Sequence, residues 1–137
     1  MKSRFFVPMA VLALIASTLA CAVGGGELSL ENPRMAFDSD GENVTSTYSS
    51  TDVFYAVADL NNAPVDTKVD TKWIAVNVPD EEPGSVFYEQ SLSNDTDGFT
   101  GTIYFQLSND TSWPAGSYKV EFYLNDVLTH SVEFTVQ

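Results

Sequence analysis

Cysteine, histidine and basic residues are all scarce in this chain of 137 residues. With one cysteine and one histidine, the chain has no intramolecular disulfide and no Cys/His zinc site of its own. Only six lysines and arginines stand against 19 aspartates and glutamates, so the net charge is −13. Because binding to a phosphate backbone needs clustered basic residues, this balance excludes nucleic acid as the expected partner.

Hydrophobic residues are plentiful, at 44 % of the chain. This fraction is enough to build a core and is too high for a disordered protein. The length is that of one domain of common size. The sequence therefore predicts a single folded domain.

The first twenty residues have the composition of a secretory signal peptide. Lys2 and Arg4 form a basic start, and residues 5–20 are almost wholly apolar. This run is shorter than the roughly 20 residues that a membrane-spanning helix needs. It has the length and flanks of a signal-peptide core.

Residues 17–21, with the sequence STLAC, resemble the end of a prokaryotic lipoprotein signal peptide. In that motif, the lipobox, a small residue precedes the cysteine that receives the lipid. Its commonest form has leucine three residues before the cysteine, where this chain has Thr18 and places its leucine one position later. The resemblance implies that Cys21 is lipidated and becomes the mature N-terminus. The alternatives are an ordinary signal peptide with an incidental cysteine, or an uncleaved anchor.

Residues 21–26 have the composition of a flexible membrane tether. Cys21 has no second cysteine to oxidise with in an exported compartment, and residues 22–26 (AVGGG) predict a flexible spacer. The predicted organisation is a signal peptide at 1–20, the lipidated cysteine and tether at 21–26, and a folded domain at 27–137. Cleavage before Cys21 leaves four basic residues against 19 acidic ones, a charge of −15 that anionic headgroups repel.

Alternating apolar and polar residues predict strands along the rest of the chain. The alternation is clearest in 99–107 and 118–124, and shorter or less regular strands are predicted in 52–60, 67–78 and 86–92 and in a last strand that residues 132–136 close. Turn residues separate these segments, and nothing after residue 20 has helical spacing over three turns. We expect an all-β fold, a single antiparallel sandwich of about seven strands.

Residues 113–120, with the sequence WPAGSYKV, resemble the tyrosine corner of immunoglobulin-like domains. In that family a Gly-x-Tyr step leads into the sixth strand, the tyrosine hydroxyl bonds back to the backbone, and a cysteine follows two residues later. The resemblance implies that Gly116 and Tyr118 form this step, that Val120 replaces the cysteine, and that Trp73 is the buried tryptophan of the third strand. Without the cysteines, an antibody-type domain is excluded, but the broader group is not.

Catalytic residues are not expected. His130 is the only histidine, lies in the last predicted strand between polar residues, and is expected to face solvent. No nucleophile motif accompanies it, and any pair chosen from the acidic residues is arbitrary. The chain is therefore predicted not to be an enzyme and to need no cofactor, with a small envelope hydrolase as the minority alternative.

Two D-x-D-G turns are weak candidates for calcium, at Asp38 and Asp40 and at Asp95 and Asp97. Neither continues as an EF-hand loop, and turn geometry selects the same residues without an ion. The interpretation without a metal is preferred.

Three asparagines, Asn43, Asn94 and Asn109, lie in N-glycosylation sequons within predicted loops. These sites matter only in a host that glycosylates asparagine.

Three aromatic residues, Tyr104, Tyr123 and Trp113, are candidates for surface binding. Tyr104 and Tyr123 would be able to stack on a sugar or a protein partner if they shared one sheet face. The preferred alternative is tyrosine pairing across strands, which stabilises the outer face.

Together these features predict a lipid-anchored protein of the cell envelope or surface that acts as a non-catalytic binding or structural module. The expected partners are the membrane, through the lipid on Cys21, and an unidentified protein or glycan. The alternatives are a subunit of a larger envelope complex that pairs through an edge strand, and a calcium-dependent or small hydrolytic envelope factor.

Overall fold

A computed structural model describes residues 26–137. This part of the chain is all-β, with eight strands and no helix. It therefore contains no helix that is long and apolar enough to cross a membrane. The strands are β1 (Ser29–Ala36), β2 (Thr47–Tyr48), β3 (Phe54–Ala63), β4 (Lys68–Asn77), β5 (Ser85–Ser93), β6 (Phe99–Leu107), β7 (Gly116–Leu124) and β8 (Val127–Val136). The predicted signal peptide, Cys21 and most of the tether lie outside the described residues.

The strands form two sheets, a three-stranded sheet in the order β1-β3-β6 and a five-stranded sheet in the order β2-β8-β7-β4-β5. The predicted all-β class is confirmed. The expectation of purely antiparallel strands is corrected, because β2 pairs in parallel with β8 and makes the larger sheet mixed. The polar residues around β2 gave no strand pattern. Its pairing depends on the contacts of Tyr48, which is buried and donates a hydrogen bond of 2.6 Å to the Ala36 carbonyl.

Strand alternation turns one face of each sheet toward a shared core. In β6 these residues are Ile103, Phe105 and Leu107, and in β7 they are Tyr118, Val120 and Phe122. Fully burying an aliphatic or phenyl side chain contributes about 1.5–3 kcal/mol. A core of this kind accounts for the cohesion of the two sheets.

Aromatic rings form the centre of that core. Phe54 of β3 lies 6.1 Å from Trp73 of β4 and 4.9 Å from Phe134 of β8, measured between ring centroids. Tyr118 stacks on Phe134 at 5.4 Å with an interplanar angle of 10°. The contacts from Phe54 to the other sheet therefore join the two layers directly.

Side chains also close both open sides of the two-sheet stack. On one side, Gln90 of β5 donates a hydrogen bond of 2.8 Å to the Gln106 carbonyl of β6. On the other side, Nε2 of His130 lies 2.6 Å from the Leu30 carbonyl of β1 and donates to it. His130 is half-buried, so the expectation that it faces solvent is corrected.

The described chain has a proximal end and a distal end, one at each end of its long strands. The proximal end holds the start of β1 together with the β3–β4, β5–β6 and β7–β8 connections. The distal end holds the β4–β5 and β6–β7 connections and the last residue of the chain. At about 3.3 Å per residue, strands of nine or ten residues separate the two ends by roughly 30 Å.

Gly116 and Tyr118 lie where the chain enters β7 from the distal end. The Tyr118 hydroxyl donates a hydrogen bond of 2.6 Å to the Pro114 carbonyl, four residues earlier. A Cβ atom on Gly116 would lie only 2.5 Å from the Asn77 carbonyl oxygen, so this close approach of two backbones requires glycine. On the larger sheet, Trp73 and Val120 are directly paired and fully buried.

Replacing Tyr118 by Phe removes this hydrogen bond and leaves the Pro114 carbonyl without its donor. We expect the free energy of unfolding to fall by about 1–2 kcal/mol, measured by urea denaturation. Tyr104→Phe is the matched control, because that ring is 49 % exposed, and it should change stability by less than about 0.5 kcal/mol. Equal stabilities for the two variants would contradict a structural role for the Tyr118 hydroxyl.

Candidate functional site

A small pocket opens at the distal end, between the β4–β5 and β6–β7 connections. Its volume is about 170 Å³, and three aromatic side chains contribute to its walls: Phe87, Trp113 and Tyr118. The remaining walls include Val78 and Pro114, and the charged side chain of Glu81. We call this cavity the distal pocket.

Trp113 is fixed to the core beneath the distal pocket. Its indole ring stacks on Phe54 with a centroid distance of 4.5 Å and an interplanar angle of 22°. Its indole nitrogen donates to the Asp52 carbonyl at 3.1 Å, and its backbone nitrogen donates to the Ser50 carbonyl at 2.7 Å. The sequence suggested Trp113 as a surface residue, whereas it is half-buried and extends the aromatic core to the pocket.

A β-bulge directs Phe87 into the same site. Along β5, Tyr88 pairs with Trp73 and Val86 pairs with Ile74, so Phe87 is the extra residue. Bulges are known to redirect a side chain out of the regular alternation. The Phe87 ring lies 5.8 Å from the Tyr118 ring and 6.2 Å from the Trp113 ring.

The charge of the distal pocket comes from the β4–β5 turn. This turn contains three consecutive acidic residues at positions 80–82, and the backbone nitrogen of Glu81 donates to the Val78 carbonyl at 3.1 Å. Burial raises the pKa of the Tyr118 phenol, and the nearby charge of Glu81 raises it further. The pocket thus combines apolar aromatic walls with one carboxylate, a composition that suits a ligand carrying positive charge.

A wider and more polar groove of about 400 Å³ lies on the outer face of the five-stranded sheet. Lys68 is already paired within this groove, because its Nζ lies 2.7 Å from Asp126 and 3.5 Å from Asp70. The hydrogen bond to Asp126 raises the pKa of Lys68. Lys72 Nζ lies 5.0 Å from the centroid of the Tyr123 ring, a cation–π geometry. Both lysines of the groove are therefore engaged by neighbouring side chains.

The two tyrosines suggested as a shared platform lie on different sheets. Tyr104 is on β6 of the smaller sheet and its ring lies 6.1 Å from that of Tyr55. Tyr123 is on β7 of the larger sheet, and its hydroxyl donates to Glu121 at 2.9 Å, which raises the pKa of the phenol. A joint stacking surface is therefore not formed.

The first acidic turn is organised by Arg34. Its guanidinium donates to the Gly41 carbonyl at 2.9 Å and to the Asp40 carbonyl at 3.2 Å, while Asp38 accepts the backbone N–H of Asn43 at 3.2 Å. A Cβ on Gly41, whose φ is +68°, would lie 2.6 Å from Arg34 Nε, so the turn folds closely over this side chain. An internal cation thus occupies the turn that the sequence suggested for calcium.

The second acidic turn, with Asp95 and Asp97, is exposed. The Asn94 amide oxygen accepts the Thr96 backbone N–H at 3.1 Å, and the Thr96 hydroxyl donates to the Asp95 carboxylate at 3.2 Å. Within residues 26–137, no group of three or more His, Cys, Asp or Glu side chains is arranged to hold a metal ion.

The three sequon asparagines differ in how their amide nitrogens are used. Asn94 Nδ2 donates to the carbonyls of Ala63 at 3.0 Å, Pro64 at 3.0 Å and Thr96 at 2.6 Å. Asn109 lies in a turn where its amide oxygen accepts the Thr111 backbone N–H, and Asn43 is exposed. Because glycosylation modifies the amide nitrogen, the folded chain offers Asn43 far more readily than Asn94.

No protein-family model matches this chain, and no curated protein matches it either. Its fold is similar to part of the Pseudomonas fluorescens alkylpurine DNA glycosylase AlkC, solved bound to DNA containing an abasic site analog. That likeness has a TM-score of 0.53 at 16 % identity and covers 82 % of this chain but 31 % of the glycosylase chain. A β-glucosidase from Listeria innocua gives a TM-score of 0.53 at 10 % identity, over 82 % of this chain and 16 % of the enzyme.

This chain spans less than a third of the glycosylase and about a sixth of the glucosidase. At these identities the likeness concerns the fold alone. The activities in those names belong to the larger proteins.

Asn94→Ala removes the donor that three carbonyls share in the β3–β4 and β5–β6 connections. We expect the free energy of unfolding to fall by about 1–2 kcal/mol in urea denaturation, because the hydrogen bond to the Ala63 carbonyl is partly buried. Asn43→Ala is the matched control at an exposed sequon and should change stability by less than about 0.5 kcal/mol. A neutral Asn94→Ala would mean that water replaces these hydrogen bonds at no cost.

Proposed function

We propose that this protein is an exported, lipid-anchored protein of the cell envelope whose single immunoglobulin-like domain is a non-catalytic binding module. In this proposal the lipid on Cys21 holds the chain at a membrane and the distal pocket receives the partner. The observation that supports it most directly is the separation of the two sites, since the chain enters β1 at the end opposite to the pocket.

The start of the described chain is fixed to the proximal end. Asn62 of β3 donates a hydrogen bond of 3.1 Å to the Glu27 carbonyl, just before β1. Residues 22–26 have a maximum extension of roughly 17 Å. With the lipid on Cys21, the proximal end would lie close to the membrane and the distal pocket roughly 30 Å farther out.

The charge distribution favours the same orientation. Acidic side chains populate the proximal loops and chain start, and anionic headgroups would repel them: Glu27, Asp66, Asp95, Asp97 and Asp126. This repulsion would act within about a Debye length of the surface, near 10 Å. It would hold the domain off the membrane while the lipid retains it.

Strand order supports the immunoglobulin-like part of the proposal. If β1, β3, β4, β6, β7 and β8 are taken as strands A, B, C, E, F and G, the sheets contain A-B-E and G-F-C, as that architecture requires. Strand β5 extends the second sheet next to C, as strand C′ does in variable-type domains. The Tyr118 bond to Pro114 lies at the start of F, and Trp73 on C packs beside Val120.

The non-catalytic part of the proposal is supported by what the polar groups already bind. His130 is engaged with the Leu30 carbonyl at 2.6 Å. The walls of the distal pocket contain one carboxylate, that of Glu81, whereas glycoside hydrolysis uses two.

Cys21→Ser tests the anchor in the full-length chain expressed in a lipoprotein-processing bacterium. We expect the protein to move from the membrane fraction to the soluble fraction, read by immunoblotting, because serine does not form the thioether that carries the lipid. The stability of the folded domain should change by less than about 0.5 kcal/mol.

Ala22→Ser, at the neighbouring position, keeps the cysteine and should stay in the membrane fraction. Retention of the Cys21→Ser protein in membranes would refute lipid anchoring. If the variant is absent from both cell fractions, immunoblotting of the culture medium shows whether it has been released from the cell.

A second candidate function, a subunit of a larger envelope complex, is favoured by strand β6. This nine-residue strand lies at the edge of the smaller sheet and carries no charged residue in a strongly acidic protein. Natural edge strands usually carry charges or proline that prevent pairing with other chains. An edge without them suits the addition of a strand from a neighbouring protein.

Thr102→Lys places a charge in the middle of this edge, beside Asp59, which accepts the Thr102 hydroxyl at 3.2 Å and also pairs with Arg34 at 3.4 Å. If the subunit function is correct, chemical cross-linking in intact membranes should recover a larger species from the unmodified protein and about tenfold less from the variant. Thr129→Lys makes the same change on β8 and should leave cross-linking unaltered. Equal cross-linking in both variants would exclude β6 as the pairing edge.

A further inference from the structure

We infer that the distal pocket binds an organic ammonium group, such as a lysine side chain of a partner protein. This inference rests on the proposed binding function and names the chemistry that the pocket would recognise. It is carried by three properties of the cavity: its aromatic walls, its single carboxylate and its size.

The aromatic walls present the surface that a cation prefers. Phe87, Trp113 and Tyr118 meet at the cavity with centroid distances of 5.8 and 6.2 Å from Phe87 to its two neighbours. The face of an aromatic ring carries partial negative charge and attracts ammonium groups. Trp113 and Tyr118 are each held on one face by core rings, Phe54 and Phe134, so the walls are rigid before any ligand arrives.

The Glu81 carboxylate adds a full negative charge at this cavity. All four basic side chains of residues 26–137 are engaged elsewhere: Arg34 with Asp59, Lys68 with Asp126, Lys119 with Glu121, and Lys72 with the Tyr123 ring. No basic residue of this part of the chain therefore neutralises Glu81. The Glu81 carboxylate therefore gives the cavity a negative potential, which favours the approach of a cationic group.

Neutral polar ligands such as sugars fit the pocket less well. The Tyr118 hydroxyl is bound to the Pro114 carbonyl, and the Asn109 amide oxygen accepts the Thr111 backbone N–H at 3.2 Å. A sugar would find few free hydrogen-bonding groups on these walls. A positive charge needs only the ring faces and the carboxylate.

The volume of about 170 Å³ limits what enters. Pockets for whole drug-sized ligands are roughly 300–1,000 Å³. The distal pocket therefore admits the end of a side chain or a small amine. A lysine on the surface of another protein has this size and charge.

Amide NMR spectroscopy of the full-chain protein, purified in detergent, provides a direct test. The chain has two tryptophans, so the spectrum has two indole N–H signals, one from Trp113 in the pocket and one from Trp73 in the core. We expect choline and Nα-acetyl-lysine amide to shift the Trp113 signal saturably and to leave the Trp73 signal in place. The uncharged choline isostere 3,3-dimethylbutan-1-ol should bind about fivefold more weakly.

Glu81→Gln should weaken the binding of both cations about fivefold, because the carboxylate is lost at nearly constant size. Glu82→Gln removes the same charge one residue away, outside the pocket walls, and should change the affinity less than about twofold. Binding of acetyl-lysine amide would identify a partner's lysine as the source, and binding of choline alone would identify a free quaternary amine.

The inference is overturned if neither cation shifts the Trp113 signal, if the neutral isostere binds equally well, or if the two glutamate variants behave alike. These outcomes leave the membrane fractionation of the Cys21→Ser protein untouched. Failure of the ligand chemistry is therefore distinguishable from failure of the proposed anchoring.

Discussion

The indole N–H of Trp73 is buried in a core that no disulfide reinforces and therefore needs a hydrogen-bond acceptor. The side chain that accepts this hydrogen bond also links the two sheets. Trp73 is fully buried and donates a hydrogen bond of 2.8 Å to the Gln90 side chain. The amide nitrogen of Gln90 in turn donates to the Gln106 carbonyl on the opposite sheet. A buried donor without a partner costs about 1–3 kcal/mol, so this chain of contacts holds β4, β5 and β6 in a fixed relation. The bulge at Phe87 lies three residues from Gln90 on the same strand, which ties the distal pocket to the core.

Much of the fold was accessible from the sequence because β6 and β7 alternate almost perfectly between apolar and polar residues. The all-β class follows from that pattern, and Trp73 and Tyr118 are indeed among the buried residues. Strand β2 was not predicted, because two residues give no period and its pairing with β8 depends on contacts distant in sequence. The same limit applies to Val57, which is buried on an outer sheet face only because Arg34 and the Gly41 turn cover it.

The candidate site was harder to predict from the sequence than the fold. The sequence predicts Trp113 as a candidate for surface binding, yet its stacking on Phe54 arises from the return of the β6–β7 connection onto β3. Phe87 reaches the pocket through a bulge, and a single inserted residue leaves no mark on an irregular strand such as β5. Glu81 is one of several acidic residues in its turn, and only the structure shows that Glu81, and not Glu82, lines the pocket. The half-buried position of His130 likewise depends on its contact with the Leu30 carbonyl of β1, which the sequence does not reveal.

Strand direction explains why a pocket arises at the end opposite to the start of β1. Successive long strands run in opposite directions, so connections alternate between the two ends, and the β4–β5 and β6–β7 connections necessarily meet at the distal end. The first of these brings Glu81 and the second brings Trp113, while the bulge turns Phe87 between them. None of the three residues forms a strand pair, although Phe87 and Trp113 also pack against the core. In the proposed function, a tether at the opposite end would leave that surface unobstructed, and the fold would separate attachment from recognition.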